Sequence, residues 1–246
     1  MATTAARVRV RWTAERKFYT GMAVAMFVAT YVGFARSFFL RPLFPEWPSP
    51  HEPIFYVHGT LFASWCVLLM AQASFVGVGR VDVHRRVGPW GAVLAASMVV
   101  FGVLAALSAA NRPGGFIAVP VPPMQFLIVP LVDMLLFGTF VTVAILRRRD
   151  AQAHKRWMIL ATTSLLGAAF SRWPGIHDTG NPLVYFGCAS LFIVALAIWD
   201  FRSRGRLHRT TVVGGALLVV SVPLRLALSS TPEWLAFATW AAGLMR

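Results

Sequence analysis

The segment GPWGAVLAASMVVFGVLAALSAA, Gly88 to Ala110, runs for 23 residues without a charged side chain. As a helix rising about 1.5 Å per residue, it is long enough to cross the roughly 30 Å hydrocarbon core of a bilayer. Its apolar residues are continuous rather than alternating, which excludes a barrel strand. A helix is then the structure that satisfies the backbone in lipid. Outward from this stretch, comparable runs lie near 18–40, 55–77, 124–146, 157–175, 183–200 and 211–230. The chain reads as an all-α polytopic membrane bundle of about seven transmembrane helices, a single integral membrane domain over residues 1–246. The apolar tail 233–246, carrying Trp234 and Trp240, is too short to span and belongs at the interface or packed back on the bundle.

The breaks between runs carry turn chemistry. Arg41-Pro42 through Pro53 holds five prolines, and Arg112-Pro113-Gly114-Gly115 through Pro123 is similarly broken. Arg172-Trp173-Pro174-Gly175 closes the fifth run and Thr231-Pro232 the seventh. The basic start and apolar stretch of residues 1–35 resemble a signal peptide, but the run continues almost to Leu40 without a small-residue cleavage site, so it reads as a first membrane helix.

Composition agrees: 57% of the residues are hydrophobic and 13% charged, where a soluble domain carries about a quarter charged. The net charge of +14 would suggest nucleic acid in a soluble protein. Here 17 of the 23 Lys+Arg fall in segments 1–17, 78–87, 147–156 and 201–210, the alternate connections of a seven-helix chain. That pattern reads as topology and contact with anionic lipid, with a cytoplasmic N-terminus in a bacterial inner membrane, and it leaves no call for a nucleic-acid partner. Cys66 and Cys188 sit inside apolar runs and form no redox motif.

Ionisable groups inside apolar helices need a reason, because burying one in lipid costs at least about 2.5 kcal/mol. The histidines fall into two layers: His51, His58 and His177 at the outer ends of helices, His84, His154 and His208 at the inner ends. His58 opens a face continued by Phe62, Trp65, Leu69 and Gln72, too polar to meet lipid along its length. It reads either as a hydrogen-bonded packing histidine or as a metal ligand. His177 is followed by Asp178, a pairing that suits a ligand and its orienting carboxylate, or an ordinary turn. His84 and His154 each follow an acid near a helix start, which also suits a charged interface turn. Arg36, Arg172 and Arg225 lie near outer helix ends, either snorkelling or forming a basic pocket for a carboxylate or haem propionate. Asp133, deep in the fourth run, reads as a proton-carrying group or an arginine's partner.

Other chemistries are excluded by absence. The only lysines, Lys17 and Lys155, lie in cytoplasmic segments, so no retinal Schiff base can form within the bundle. There is no His-Glu-x-x-His, Gly-x-Ser-x-Gly or Walker loop.

His58-Gly59-Thr60-Leu61-Phe62-Ala63-Ser64-Trp65, Gln72, Gly79-Arg80, His84-Arg85-Arg86-Val87-Gly88, His154-Lys155-Arg156-Trp157-Met158 and Arg172-Trp173-Pro174 resemble an uncharacterised family of small bacterial polytopic membrane proteins, over residues 55–175. The chain is also loosely similar to cytochrome b561-like and oxidase-assembly membrane proteins. The likeness to cytochrome b561-like proteins implies paired histidines in two layers, His58 with His177 and His84 with His154, holding haem b. The likeness to oxidase-assembly proteins implies copper or haem handling beside a respiratory complex. The expected function is therefore a haem or metal site of His58, His177 and Arg172, with a weaker inner site of His84 and His154, for electron transfer or respiratory-complex assembly. A transporter or binding protein for a small anionic or lipid-like ligand, using Asp133, Arg36, Arg225, Gln72 and Trp65, is the alternative, as is a structural subunit of a membrane complex.

Overall fold

The computed structural model describes residues 12–117, 119 and 121–245. Arg7, Arg9 and Arg11 of the basic N-terminal segment, and Arg246, lie outside them. The described chain is helical without strands: α1 (Ala14–Phe34), α2 (Pro53–Gly77), α3 (Val81–Asn111), α4 (Pro123–Phe126), α5 (Ile128–Leu146), α6 (Ala151–Phe170), α7 (Pro182–Arg204), α8 (Arg209–Leu228) and α9 (Pro232–Gly243). A π-turn over Ala35–Phe39 prolongs α1, and single 3₁₀ turns lie at Arg41–Leu43 and His177–Thr179.

The helix starts follow their side of the bundle. On the expected outer side, α2, α4, α7 and α9 each begin with a proline, whose missing N–H belongs to a turn that has no intrahelical partner anyway. On the inner side, α1, α6 and α8 start on side-chain caps, whereas α3 starts after Arg80 without one. Thr13 accepts from the Arg16 N–H at 3.2 Å, and Asp150 accepts from Gln152 and Ala153 at 3.0 and 3.1 Å. Those two N–H groups, Ala153 foremost, hold the Asp150 carboxyl below its usual range. The Asp150 cap also starts α6 two turns earlier than the hydropathy does, which is why the run expected at 157–175 is a helix at 151–170. Likewise α3 begins at Val81 rather than 88, because the basic His84-Arg85-Arg86 stretch is already helical.

Among the described residues six segments are long and apolar enough to cross a membrane: Ala14–Phe39, Pro53–Gly77, Val81–Asn111, Pro123–Leu146, Pro182–Arg204 and Arg209–Leu228. The exception among the seven expected runs is α6. It is flanked by α1, α5, α7 and α8, and its residues Ile159 to Ser164 are all buried, Thr162, Thr163 and Ser164 among them. A helix surrounded by helices does not meet lipid, so it can carry hydroxyls and small residues that a lipid-facing helix would not. The outer helices show the reverse pattern. Leu191, Val194 and Ile198 of α7 and Val219, Val220 and Leu224 of α8 are all at least half exposed. Apolar surface on that scale marks contact with lipid or with another protein, and with six helices long enough to span it fits a membrane protein.

The tail packs on the bundle. Ala238, Ala241 and Ala242 of α9 are buried with Ala106, Leu107 and Ala110 of α3 and with Leu127. Asn111 donates to the Ala242 carbonyl at 2.6 Å and the Trp234 indole to the Met124 carbonyl at 2.9 Å.

Close approach of α1 and α6 rests on Gly33, where an added Cβ would lie 2.3 Å from the Ala169 carbonyl oxygen. Backbone cannot yield as a side chain can. Gly33→Val should therefore lower stability by about 1–3 kcal/mol. Gly21→Ala on the same helix, where nothing lies within 4 Å, should leave it unchanged or slightly higher. Denaturation in detergent followed by far-UV circular dichroism separates the two outcomes.

Candidate functional site

At the inner end of the bundle, Arg156 of α6 and Asp200 of α7 are both fully buried and paired. The Arg156 Nε donates to Asp200 Oδ1 at 2.9 Å, and its Nη2 shares the same oxygen. Nη1 donates to the backbone and side-chain oxygens of Gln152, at 2.8 and 2.7 Å. The other carboxylate oxygen accepts from Thr211 Oγ1 at 2.5 Å and from the His208 N–H at 3.1 Å. Gln152 donates onward to Glu15 at 2.9 Å, and Lys155 pairs with the same carboxylate. One network thus joins α1, α6, α7 and α8. His208 itself caps α8, its Nδ1 accepting from the Thr210 N–H at 3.1 Å. Burial first, then the guanidiniums of Arg156 and Arg204, holds its imidazole below the usual value, which keeps Nδ1 free to accept. Sequence reading passed over Asp200 and Arg156. The signal that could have found Asp200 was an acid four residues inside the end of an otherwise apolar helix.

Beside this clamp lie the two inner histidines. His84, in the first turn of α3, and His154, in the first turn of α6, have ring centres 6.2 Å apart with planes nearly perpendicular, at 83°. His154 Nδ1 lies 2.8 Å from the Ala144 carbonyl of α5. A carbonyl only accepts, so Nδ1 carries the proton and Nε2 keeps its lone pair. The His84 ring lies against the backbone of Gln72 in α2, and its buried Nδ1 has no partner among the described residues. The side-chain oxygen of Gln72 is likewise buried and unpartnered. Helices α3 and α6 thus bring two imidazoles together, with the buried Nδ1 of His84 unspent.

The outer residues are distributed differently. Asp133 of α5 and Arg225 of α8 form a buried pair, Arg225 Nη1 donating to Asp133 Oδ1 at 2.6 Å. Arg225 also donates to Ser221, through Nε to its carbonyl at 3.2 Å and through Nη2 to its hydroxyl at 2.8 Å. A cavity of about 20 Å³, lined by Thr163, Ser164, Phe186, Ser190 and Arg225, has room for one water. Asp133 is thus Arg225's counter-ion, one of its two expected roles. Arg36 lies 3.9 Å over the Trp47 ring, and Trp47 stands 5.8 Å from the His177 ring. His177 Nδ1 meets the Ser171 carbonyl at 2.9 Å, so its proton goes there rather than to Asp178. The His58 and Phe62 rings lie 4.1 Å apart, tilted by 38°, and no ring contact or hydrogen bond joins His58 to His177 among the described residues. Its buried Nδ1 is unpartnered. Arg172 donates to the Ala168 carbonyl at 2.6 Å and to Ser171 Oγ at 3.3 Å, and lies 4.7 Å over Phe34. The three arginines therefore form no common pocket. Trp65 is core: its indole donates to Thr162 at 3.1 Å and its ring meets Phe137 edge-on at 5.0 Å.

Among the described residues no group of three or more His, Cys, Asp and Glu side chains could hold a metal ion. No family model, curated protein or solved structure matches this chain.

Removing one member of the inner clamp leaves its partner charged and buried. Asp200→Ala should lower stability by about 3–5 kcal/mol, and Arg156→Met with Asp200→Leu should recover much of that loss. Thermal denaturation of the single and double variants in detergent reads both.

Proposed function

We propose that the chain is a seven-span protein of a bacterial inner membrane, N-terminus cytoplasmic, that holds a haem b or copper ion on His84 and His154. Its task is electron transfer or the assembly of a respiratory complex. The observation that carries this reading is the 6.2 Å separation of the two rings. Two imidazoles ligating one ion from opposite sides, each with a metal–nitrogen distance of about 2.0–2.1 Å, would have ring centres about 6.4 Å apart. The tautomer of His154, set by the Ala144 carbonyl, is the arrangement by which a ligating histidine is usually oriented.

The donor set narrows the metal. Structural zinc takes four protein ligands and catalytic zinc three, while calcium takes six or more oxygens. Two imidazoles alone would suit instead a copper ion or a haem iron, both of which histidine ligates. Either group, when bound, supplies a one-electron couple. The chain's own residues would hold it, with His84 and His154 as the ligands. This moves the weight of the two-layer expectation from His58 and His177 to the inner pair. The outer pair share no ring contact, and His177 is committed to Ser171 and Trp47. The carrier reading is weakened on the same grounds, because Arg225 already has Asp133.

Purified protein, expressed with iron, copper and haem precursor in supply, should show either a Soret band with reduced α-bands or about one copper per chain. His84→Ala and His154→Ala should each lose it, and His58→Ala should keep it. A colourless, metal-free wild-type protein overturns the proposal. Loss in His58→Ala alone returns the site to the outer layer.

A further inference from the structure

We infer that the outer end of the bundle holds a separate site for an oxyanion, bound between Arg172 and His58. The residues converge from three helices and the turn that follows α1. Arg172 follows the last turn of α6, His58 lies on α2 and Phe34 ends α1. The π-turn carries Phe38 onto α2 so closely that a Cβ on Gly59 would meet its ring at 2.5 Å. Arg172 is the charged group whose field reaches His58.

Two unmet demands point to a ligand. A buried imidazole nitrogen without a partner forfeits about 1–3 kcal/mol relative to water, and His58 Nδ1 is such an atom. Arg172 is half-buried and has no carboxylate partner among the described residues, and a guanidinium drawn out of water is best matched by an anion. Snorkelling does not account for it. A snorkelling arginine extends away from the bilayer centre, whereas this side chain turns back to a carbonyl one turn earlier on its own helix and lies over Phe34. Capping that carbonyl occupies Nη1 alone. Nε and Nη2 remain, and a guanidinium edge is the group best matched to a carboxylate or phosphate. An oxyanion there would accept from Arg172 and from a protonated His58 nitrogen, meeting both demands with one ligand. The other outer cations among the described residues are engaged: Arg225 with Asp133, Arg112 with Glu52 at 2.9 Å, Arg41 with Tyr56 and His51, and Arg36 on Trp47.

The oxyanion has two sources, the phosphate of a lipid headgroup or a free anion from the aqueous side. The test uses protein labelled with ¹⁵N in its histidine rings, reduced with dithionite and held in maltoside detergent, which contains no phosphate. Inorganic phosphate, acetate and dihexanoyl phosphatidylglycerol are titrated separately. Expected is a saturable shift of the His58 ring nitrogens, weakened at least tenfold in Arg172→Gln, retained in Arg172→Lys and unaffected in Arg36→Gln. A shift with the lipid alone assigns the site to a headgroup, and one with phosphate or acetate to a water-borne anion. No shift with any of the three, or an equal shift in Arg172→Gln, overturns the inference. Unchanged thermal denaturation of Arg172→Gln establishes that a lost shift is a lost ligand contact rather than a lost fold.

Discussion

The Arg156–Asp200 pair is the interaction on which the arrangement of the inner half depends. Both side chains are fully buried, so neither charge has water to fall back on. In such a setting an ion pair gains little over apolar packing of the same shape, yet it tolerates only one geometry. Its value lies in register. Asp200 spends one oxygen on Arg156 and the other on Thr211 and the His208 N–H, so α6, α7 and α8 are locked to one relative height. In lipid, where no hydrophobic force drives helix against helix, such hydrogen-bonded contacts and close small-residue approaches decide packing. Gly33 against Ala169 supplies the second kind between α1 and α6.

The central position of α6 follows from the same economy. It is less apolar than its neighbours, yet it is the helix most enclosed by others. Hydropathy measures what a helix shows to lipid, so the helix with least lipid contact is the one it marks most faintly. Thr162 illustrates the point. A hydroxyl there would be unfavourable against acyl chains, but it accepts from the Trp65 indole and donates to the Met158 carbonyl.

This explains what could be read before the fold was known. Long apolar runs and alternating basic loops mark the helices directly, because each residue's preference for lipid or water is local. Helix ends were less legible: the charged first turns of α3 and α6 look like loop by hydropathy, and only the Asp150 cap betrays that α6 begins there. The two histidine layers were visible as positions along helices. Which histidine faces which was not, since that depends on helix rotation. Arg156 and Asp200 lie 44 residues apart, and nothing local links them; each alone resembles an interfacial charge. Arg225 and Asp133, 92 residues apart, are both legible because each interrupts an apolar run, Asp133 near its middle and Arg225 near its outer end.

The clamp and the histidine pair are connected through α6. His154 and Arg156 are two residues apart, hence about 200° apart around the helix. One therefore faces α3 and α5 while the other faces α7 and α8. Fixing Arg156 against Asp200 sets the height and rotation of α6, and with them the position of His154 on its opposite side. The Ala144 carbonyl then fixes the tautomer. The proposed ligand pair would need placement within about half an ångström, which the hydrogen-bonded network two residues away could supply. The outer end lacks an equivalent. There α1 loosens into a π-turn, α6 stops at Phe170 and a Pro-Gly turn follows. The proposed inner site, held by helix packing, and the proposed outer site, bordered by turns, would suit different ligands: a permanently held ion inside, an exchanging anion outside.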